Sequence, residues 1–165
     1  MPLYVRPALP EDEPFVYQLI RQVMYDQLLV HLWDPTYRDA LLDLQVRAKA
    51  GSYAVVHPQA DHAIIMLDDH AVGRLLIDRA GPYYHLVDIS ILPKHRSAGI
   101  GTRIVLGLCM EAEMMQKNVR LYVSITNPRA TALYKRLGFR VIEDRFTDLL
   151  MEKSPADRAQ VLAAP

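Results

Sequence analysis

The sequence predicts an α/β domain of the mixed (α+β) kind, in which a central sheet of about six to seven strands is flanked by about four helices. Two features of the chain predict this class. Three apolar segments between residues 63 and 91 are separated only by short turns, which is typical of an antiparallel meander. The third segment then leads through a glycine-containing turn into a long helix and a further strand, and such a crossover makes the two strands parallel.

Length and composition indicate one globular domain. The chain has 165 residues, of which 51% are hydrophobic and 23% charged, and this is enough to bury a core. We expect a single domain over residues 1–153 and a flexible tail over residues 154–165. The 19 basic and 19 acidic residues cancel, so the charge balance does not favour a nucleic acid or a membrane surface as partner.

The redox and targeting signals favour the cytoplasm. One cysteine permits no intrachain disulfide. No apolar run is long enough for a membrane span, and the segment after Met1 lacks a signal-peptide core. We therefore expect a cytoplasmic protein.

The first third of the chain predicts one strand and two helices. Residues 3–6 alternate as a short strand, and acidic residues 11–13 favour the start of a helix whose apolar side is formed by Val16, Leu19, Ile20 and Val23. Asp34 and Pro35 predict the cap and first position of a second helix. Its predicted buried face consists of Tyr37, Leu41, Leu44 and Ala48. Its end is left open, either at Gly51 or before Pro58.

The rest of the chain predicts the meander, the crossover and a closing hairpin. Strands are predicted at residues 63–67, 71–77, 83–91 and 119–124, with a hairpin over residues 139–152. The helix between the last two single strands has one apolar side, formed by Ile100, Ile104, Val105, Leu108, Cys109, Ala112 and Met115. A fourth helix begins at Pro128 and ends at Gly138.

The turn between residues 96 and 101, with the sequence RSAGIG, carries the first functional signal. It follows a strand and opens a helix, whose first amides have no intrahelical partner and lie at the positive end of the helix dipole. Gly99 and Gly101 keep side chains away from these amides, and Arg96 can add charge-assisted hydrogen bonds. The turn therefore predicts a pyrophosphate site.

Two further motifs give this turn a family context. They are Asn127-Pro128-Arg129-Ala130 and the segment LYKRLGF over residues 133–139. With the turn, in this order, they resemble the GCN5-related N-acetyltransferase (GNAT) family, most specifically over residues 83–146. The family usually has glycine directly after the arginine, where this chain has Ser97.

The resemblance implies a fold, a substrate and a set of contacts. In the GNAT fold, parallel strands 4 and 5 splay apart around acetyl-CoA, and an amine attacks the thioester directly. The first two helices and their connection, here residues 24–33 with Tyr25, Leu28, Leu29 and Trp33, line the acceptor pocket or simply pack on the sheet. The residues expected to contact acetyl-CoA are Ile91, Leu92, Arg96, Ser97, Ala98, Gly99, Ile100, Gly101, Thr102, Asn127, Ala130 and Tyr134.

The chemistry requires a proton donor and a proton acceptor. Tyr134 matches the family's general-acid position, since a phenol with an ordinary pKa of about 10 is protonated at neutral pH and can protonate a departing thiolate. The group that takes the amine proton is open between His85, Asp88 and a water chain. Because strand side chains alternate, His85 and Asp88 should point to opposite faces. A lone carboxylate in an apolar strand must be paired, solvated or functional.

The expected partners are acetyl-CoA and an amine-bearing small molecule or peptide, with a homodimer as one assembly the sequence permits. The alternative is an acyl-CoA-binding sensor or structural module that does not turn over. Cys109 is interpreted as core filling rather than as a nucleophile. The histidines show no metal-ligand spacing, so no metal is expected.

Overall fold

The computed structural model describes residues 2–155, so residues 156–165 of the predicted tail lie outside the described part of the chain. Seven strands form one mixed sheet in the order β1-β2-β3-β4-β5-β7-β6. The strands are β1 Leu3–Pro7, β2 Asp61–Leu67, β3 His70–Asp78, β4 Tyr84–Ile91, β5 Val119–Ser124, β6 Arg140–Asp144 and β7 Asp148–Lys153. The α-helices in the described residues are α1 Glu13–Gln27, α2 Arg38–Val56, α3 Ile100–Met114 and α4 Pro128–Arg136. The predicted fold class is confirmed.

The contacts divide the chain into two compact units. Within the described residues, the first unit comprises residues 2–76 together with Asp88–Ala98, and the second comprises Ile77–Val87 together with residues 99–155. The single domain expected over residues 1–153 stays a prediction.

The core of the first unit lies where α1 and α2 cover the antiparallel pair of β1 and β2. Its buried members are Val16, Ile20, Met24, Val30, Leu42, Val46, Ile64 and Met66. The chain enters α1 through a short 3₁₀ turn at Pro10–Asp12. There the Asp12 carboxylate accepts hydrogen bonds from both Arg6 terminal nitrogens, at 2.7 and 2.8 Å, and from the Leu9 amide at 2.8 Å. The turn is therefore fixed by a bidentate ion pair to β1.

The second helix differs from its prediction in both its start and its buried face. Asp34 caps a turn by accepting the Thr36 amide at 2.8 Å, and α2 itself begins only at Arg38. The buried residues of α2 are Leu42 and Val46, so the predicted face of Tyr37, Leu41, Leu44 and Ala48 was wrong. Apolar residues occur on both sides of this helix, and packing against α1 selects the side. The helix passes through Gly51 and ends before Pro58.

Two local backbone features shape the sheet of the first unit. Asp68 and Asp69, between β2 and β3, have φ values of 48° and 62°, the left-handed pair that a tight hairpin turn requires. At Gly73 in β3, an added Cβ would collide with the backbone carbonyl of Ser90 in β4. Glycine here permits a close approach of the two strands.

The second unit packs apolar sides of β5, β7 and α3 inward. Its buried residues include Val105, Leu108, Cys109 and Ala112 of α3, as predicted, whereas Met115 lies beyond the helix end and is exposed. β5 pairs with β7, and β7 with β6, whose register shifts between Val141 and Glu143. α4 ends where predicted, since Gly138 has a φ of 92° and Phe139 donates its amide to the Tyr134 carbonyl at 3.0 Å.

Candidate active site

The helix end predicted to receive a pyrophosphate is present at α3. Gly99 is the N-cap residue with a φ of 75°, and the first helical hydrogen bond runs from the Arg103 amide to the Gly99 carbonyl at 3.0 Å. The amides of Ile100, Gly101 and Thr102 therefore precede the first intrahelical donor. A Cβ added at Gly99 would meet nothing within 4 Å. This helix end can accept an anion without side-chain obstruction at Gly99.

Ser97 stands where the family usually has glycine, and its backbone conformation is one that strains any other residue. Its φ is 62°, in the left-handed region. A non-glycine residue is strained there by roughly 1–2 kcal/mol. The chain therefore takes up at Ser97 a conformation that glycine would adopt more easily.

Arg96 braces the turn within the first unit. Its Nε donates to the Ile91 carbonyl at 3.0 Å, and its Nη1 lies 3.6 Å from Asp26 Oδ2 at the end of α1. Leu92 donates its amide to the Val72 carbonyl of β3 at 2.9 Å. Ile91 and Leu92 are half-buried, whereas Arg96, Ser97 and Ala98 are exposed.

The parallel pairing of β4 and β5 is short. The register joins Tyr84–Leu86 to Val119–Leu121, although β5 continues to Ser124. Beyond Leu121 the opposite edge of β5 stays paired with β7, to the last residue of the strand. Where a strand edge no longer pairs with its neighbouring strand, its backbone groups can form hydrogen bonds with an extended ligand that carries amide groups.

α4 brings the remaining two motifs together in the second unit. The Asn127 side chain accepts the Ala130 amide at 3.2 Å and so caps the helix, with Pro128 in the first turn. Tyr134 is buried, with 8% of its surface exposed, and its ring meets Phe139 edge to face at a centroid distance of 5.6 Å. The position of the Tyr134 ring is thus fixed by its burial on α4 and by its contact with Phe139.

The two candidate bases have different surroundings. His85 is half-buried, and its ring meets Tyr122 of β5 edge to face, with centroids 5.5 Å apart. Asp88 accepts hydrogen bonds from Arg74 Nε at 3.1 Å and from the Ser90 hydroxyl at 2.9 Å. The Asp88 carboxylate is therefore already paired, which is one of the alternatives that its apolar strand required.

The sequence reasoning missed the cluster around Asp88. Arg74 is only 5% exposed, and its guanidinium lies 5.5 Å from the centroid of the Tyr53 ring. Burial, followed by the charge of Asp88, raises the pKa of the Tyr53 phenol well above its usual value. The sequence feature that could have indicated this cluster is Arg74, the one charged residue in the run AVGRLLI over residues 71–77.

Two further side-chain predictions concern Cys109 and metals. Cys109 is buried on the inner side of α3, and burial raises the pKa of its thiol. Within residues 2–155, no group of three or more histidine, cysteine and acidic side chains has a geometry that could hold a metal ion. None of the helices in this range is long and apolar enough to cross a membrane.

Comparison with known proteins agrees with the fold and the motifs. The family model of the acetyltransferase (GNAT) family matches residues 25–139. No curated protein matches the chain.

Several solved structures share the fold. The PaiA N-acetyltransferase from Thermoplasma acidophilum, in complex with coenzyme A, has a TM-score of 0.70 and 18% identity, covering 93% of this chain and 99% of that one. An acetyltransferase from Thermus thermophilus has a TM-score of 0.67 and 19% identity, with coverage of 93% and 97%. The spermidine N-acetyltransferase from Vibrio cholerae, in complex with coenzyme A and spermine, has a TM-score of 0.63 and 18% identity, with coverage of 93% and 96%. Because the family model spans well over half of the sequence, the chain belongs to the GNAT acetyltransferase family, whose acyl donor is acetyl-CoA.

Proposed function

We propose that this protein transfers the acetyl group of acetyl-CoA to a primary amine of a small molecule or peptide. The observation that carries the proposal is α4, which combines the Asn127 cap with a buried Tyr134 in the motif order of the family. The exposed N-terminus of α3 supports it, since its amides suit the pyrophosphate of coenzyme A. Residues 91–92, 96–102, 127 and 130 are the proposed donor contacts.

The proposed reaction is a direct attack. The amine nitrogen donates its lone pair to the thioester carbonyl carbon, a C–N bond forms and the C–S bond breaks. The departing sulfur takes a proton from the Tyr134 hydroxyl, and the nitrogen loses one proton to a base, so that an amide and free coenzyme A result. Tyr134 suits this role because a phenol is a sufficiently strong acid to protonate a thiolate as it leaves.

We assign the base to His85 and a structural role to Asp88. The Asp88 carboxylate already accepts hydrogen bonds from Arg74 and Ser90, and a proton taken by Asp88 would weaken this buried ion pair. An imidazole, by contrast, ordinarily exchanges protons near neutral pH.

We place the acceptor side at residues 24–33 in the first unit. Tyr25 and Trp33 are partly buried against the core of α1 and α2, whereas Leu28, Leu29 and Leu32 are exposed. Exposed leucines on a connection between two helices give a substrate apolar surface to contact.

The function is tested by the release of free thiol from acetyl-CoA in the presence of amines. The panel should contain polyamines, amino acids, aminoglycosides and peptide N-termini, with polyamines included because a structural neighbour holds spermine. Thiol release that depends on one amine class, together with its acetylated product by mass spectrometry, supports an N-acetyltransferase. Tight coenzyme A binding without release for any amine would indicate the sensor alternative.

Replacing Gly99 with Val is expected to weaken coenzyme A binding by about tenfold or more. The branched side chain would stand at the N-terminus of α3, where the pyrophosphate must approach the helix amides. Calorimetry measures the affinity. Gly107→Val, in the same helix and also open around its Cβ, controls for a branched side chain on α3 and should bind as the wild type does, whereas the left-handed backbone of Gly99, with a φ of 75°, adds strain to Gly99→Val, so its thermal unfolding is measured as well. Equal affinity of the two variants would remove α3 from the donor site.

Replacing His85 with Ala is expected to lower kcat/KM and to remove its rise with pH. If His85 must be neutral to take the amine proton, kcat/KM of the wild type rises through the range in which imidazoles ordinarily titrate, at about pH 6–7. Asp88→Asn should keep this rise of kcat/KM with pH (the pH limb) and should instead have a lower thermal unfolding midpoint. The opposite pattern, with the limb lost in Asp88→Asn and kept in His85→Ala, would assign the base to Asp88.

A further inference from the structure

The first unit contains a cavity that the proposed donor contacts do not include. Its volume is about 670 Å³, and it lies between α1, the second half of α2 and the strands β2 and β3. The apolar part of its wall is formed by Val16, Ile20, Val46 and Leu76. This size and this lining are typical of sites for small organic molecules.

The polar part of the wall has two buried side-chain nitrogens without partners. Arg74 and His62 both line the cavity. Arg74 Nη2 and His62 Nε2 are shielded from solvent and have no hydrogen-bond partner in the part of the chain that the structure describes. A buried guanidinium N–H that lacks an acceptor carries a free-energy cost. A ligand that supplies an acceptor oxygen recovers this cost.

The carboxylates near the cavity are already committed to other partners. Asp88 accepts from Arg74 Nε and from Ser90, and Asp12 accepts from both Arg6 terminal nitrogens. Asp43 accepts from the Tyr17 hydroxyl and lies 3.3 Å from Arg21 Nε. With these carboxylates engaged, Arg74 Nη2 has no acceptor among residues 2–155.

The charged groups near the cavity are the two arginines Arg47 and Arg74 and the carboxylate of Glu13, and Arg74 is paired with Asp88 through Nε. Glu13 is exposed at the start of α1, whereas Arg74 is nine-tenths buried or more. A negative ligand group therefore finds its favourable partner at the inner end of the cavity.

We infer that this cavity binds a small-molecule carboxylate with an apolar body, its carboxylate facing Arg74 and His62 and its body lying on the apolar wall. Tyr53 also lines the cavity and covers the Arg74 guanidinium at 5.5 Å.

The test is calorimetry on the full chain without acetyl-CoA, with phenylacetate and 4-methylpentanoate as probes and phenylacetamide as the neutral match of the first. Because no donor is present, the result does not depend on acetyl transfer, and the proposed function can fail while this inference holds. Phenylacetate is expected to bind at least about tenfold more tightly than phenylacetamide, as a charge-assisted pair implies.

Two variants locate the site. Ala50→Phe adds a ring at a residue of α2 that lines the cavity and should abolish binding, whereas Ala48→Phe, on the same helix but outside the lining, should leave binding unchanged. Arg74→Lys retains a cation for Asp88 but removes Nη2, and it should weaken phenylacetate binding by about tenfold. Three results overturn the inference: no binding of either carboxylate, equal binding of phenylacetate and phenylacetamide, or unchanged binding in Ala50→Phe.

Discussion

Replacing Tyr134 with Phe lowers kcat by about ten- to a thousandfold, and leaves the affinity for acetyl-CoA nearly unchanged, if Tyr134 protonates the departing thiolate. The substitution removes only the hydroxyl. The ring keeps its edge-to-face contact with Phe139 and its buried position on α4. Steady-state kinetics give kcat, and calorimetry with coenzyme A gives the affinity of the donor site.

The control for this variant is Tyr37→Phe, which removes a hydroxyl from an exposed tyrosine before α2. It should retain the kcat and the thermal unfolding midpoint of the wild type. An unchanged kcat in Tyr134→Phe would assign Tyr134 to packing. A change confined to KM would assign it to binding of the substrate instead.

Replacing Gly73 with Ala is expected to lower the free energy of unfolding by about 3 kcal/mol, a cost at the upper end for overpacked sites. The new Cβ would collide with the Ser90 carbonyl and come within 3.3 Å of the Ile65 side chain and of the Ile91 Cα. Two of these three neighbours are backbone, so β3 and β4 of the first unit would have to separate. Urea unfolding measures the loss.

Gly51→Ala is the matched control for Gly73→Ala. Gly51 lies inside α2, and an added Cβ meets nothing within 4 Å. Alanine favours the helix by about 0.5–1 kcal/mol, so this variant should be slightly more stable than the wild type. The same chemical change therefore has opposite signs at the two positions. A Gly73→Ala protein as stable as the wild type would show that β3 and β4 do not need this close approach.

Most of the fold could be predicted because its signals are local. The hairpin at Asp68-Asp69, the crossover through Gly99 and the stop of α4 at Gly138 each depend on a few consecutive residues with special backbone angles. The buried face of α2 could not be predicted in this way. Leucines lie on several sides of α2, and the choice of Leu42 over Leu41 and Leu44 depends on the tertiary contacts of the helix.

The same distinction, between local sequence signals and tertiary contacts, applies to the candidate site. The glycine turn and the α4 motif are contiguous in sequence, so their residues could be named in advance. The pairing of Arg74 with Asp88 joins residues on two strands, and the two buried nitrogens at the cavity lack partners because of the way α1, α2 and the sheet are arranged. Sequence periodicity carries no information about which buried group lacks a partner.

The burial of Cys109 has a practical consequence for measuring this protein. The thiolate is the reactive form of cysteine, and here both the small exposure and the raised pKa suppress it in the folded chain. Alkylation of this sulfur is therefore expected to be slow in the folded chain, and its rate should rise with the population of states in which α3 opens away from its neighbours. Because Cys109 is the one cysteine of the sequence, thiol labelling of the unmodified protein measures the local stability of the second unit.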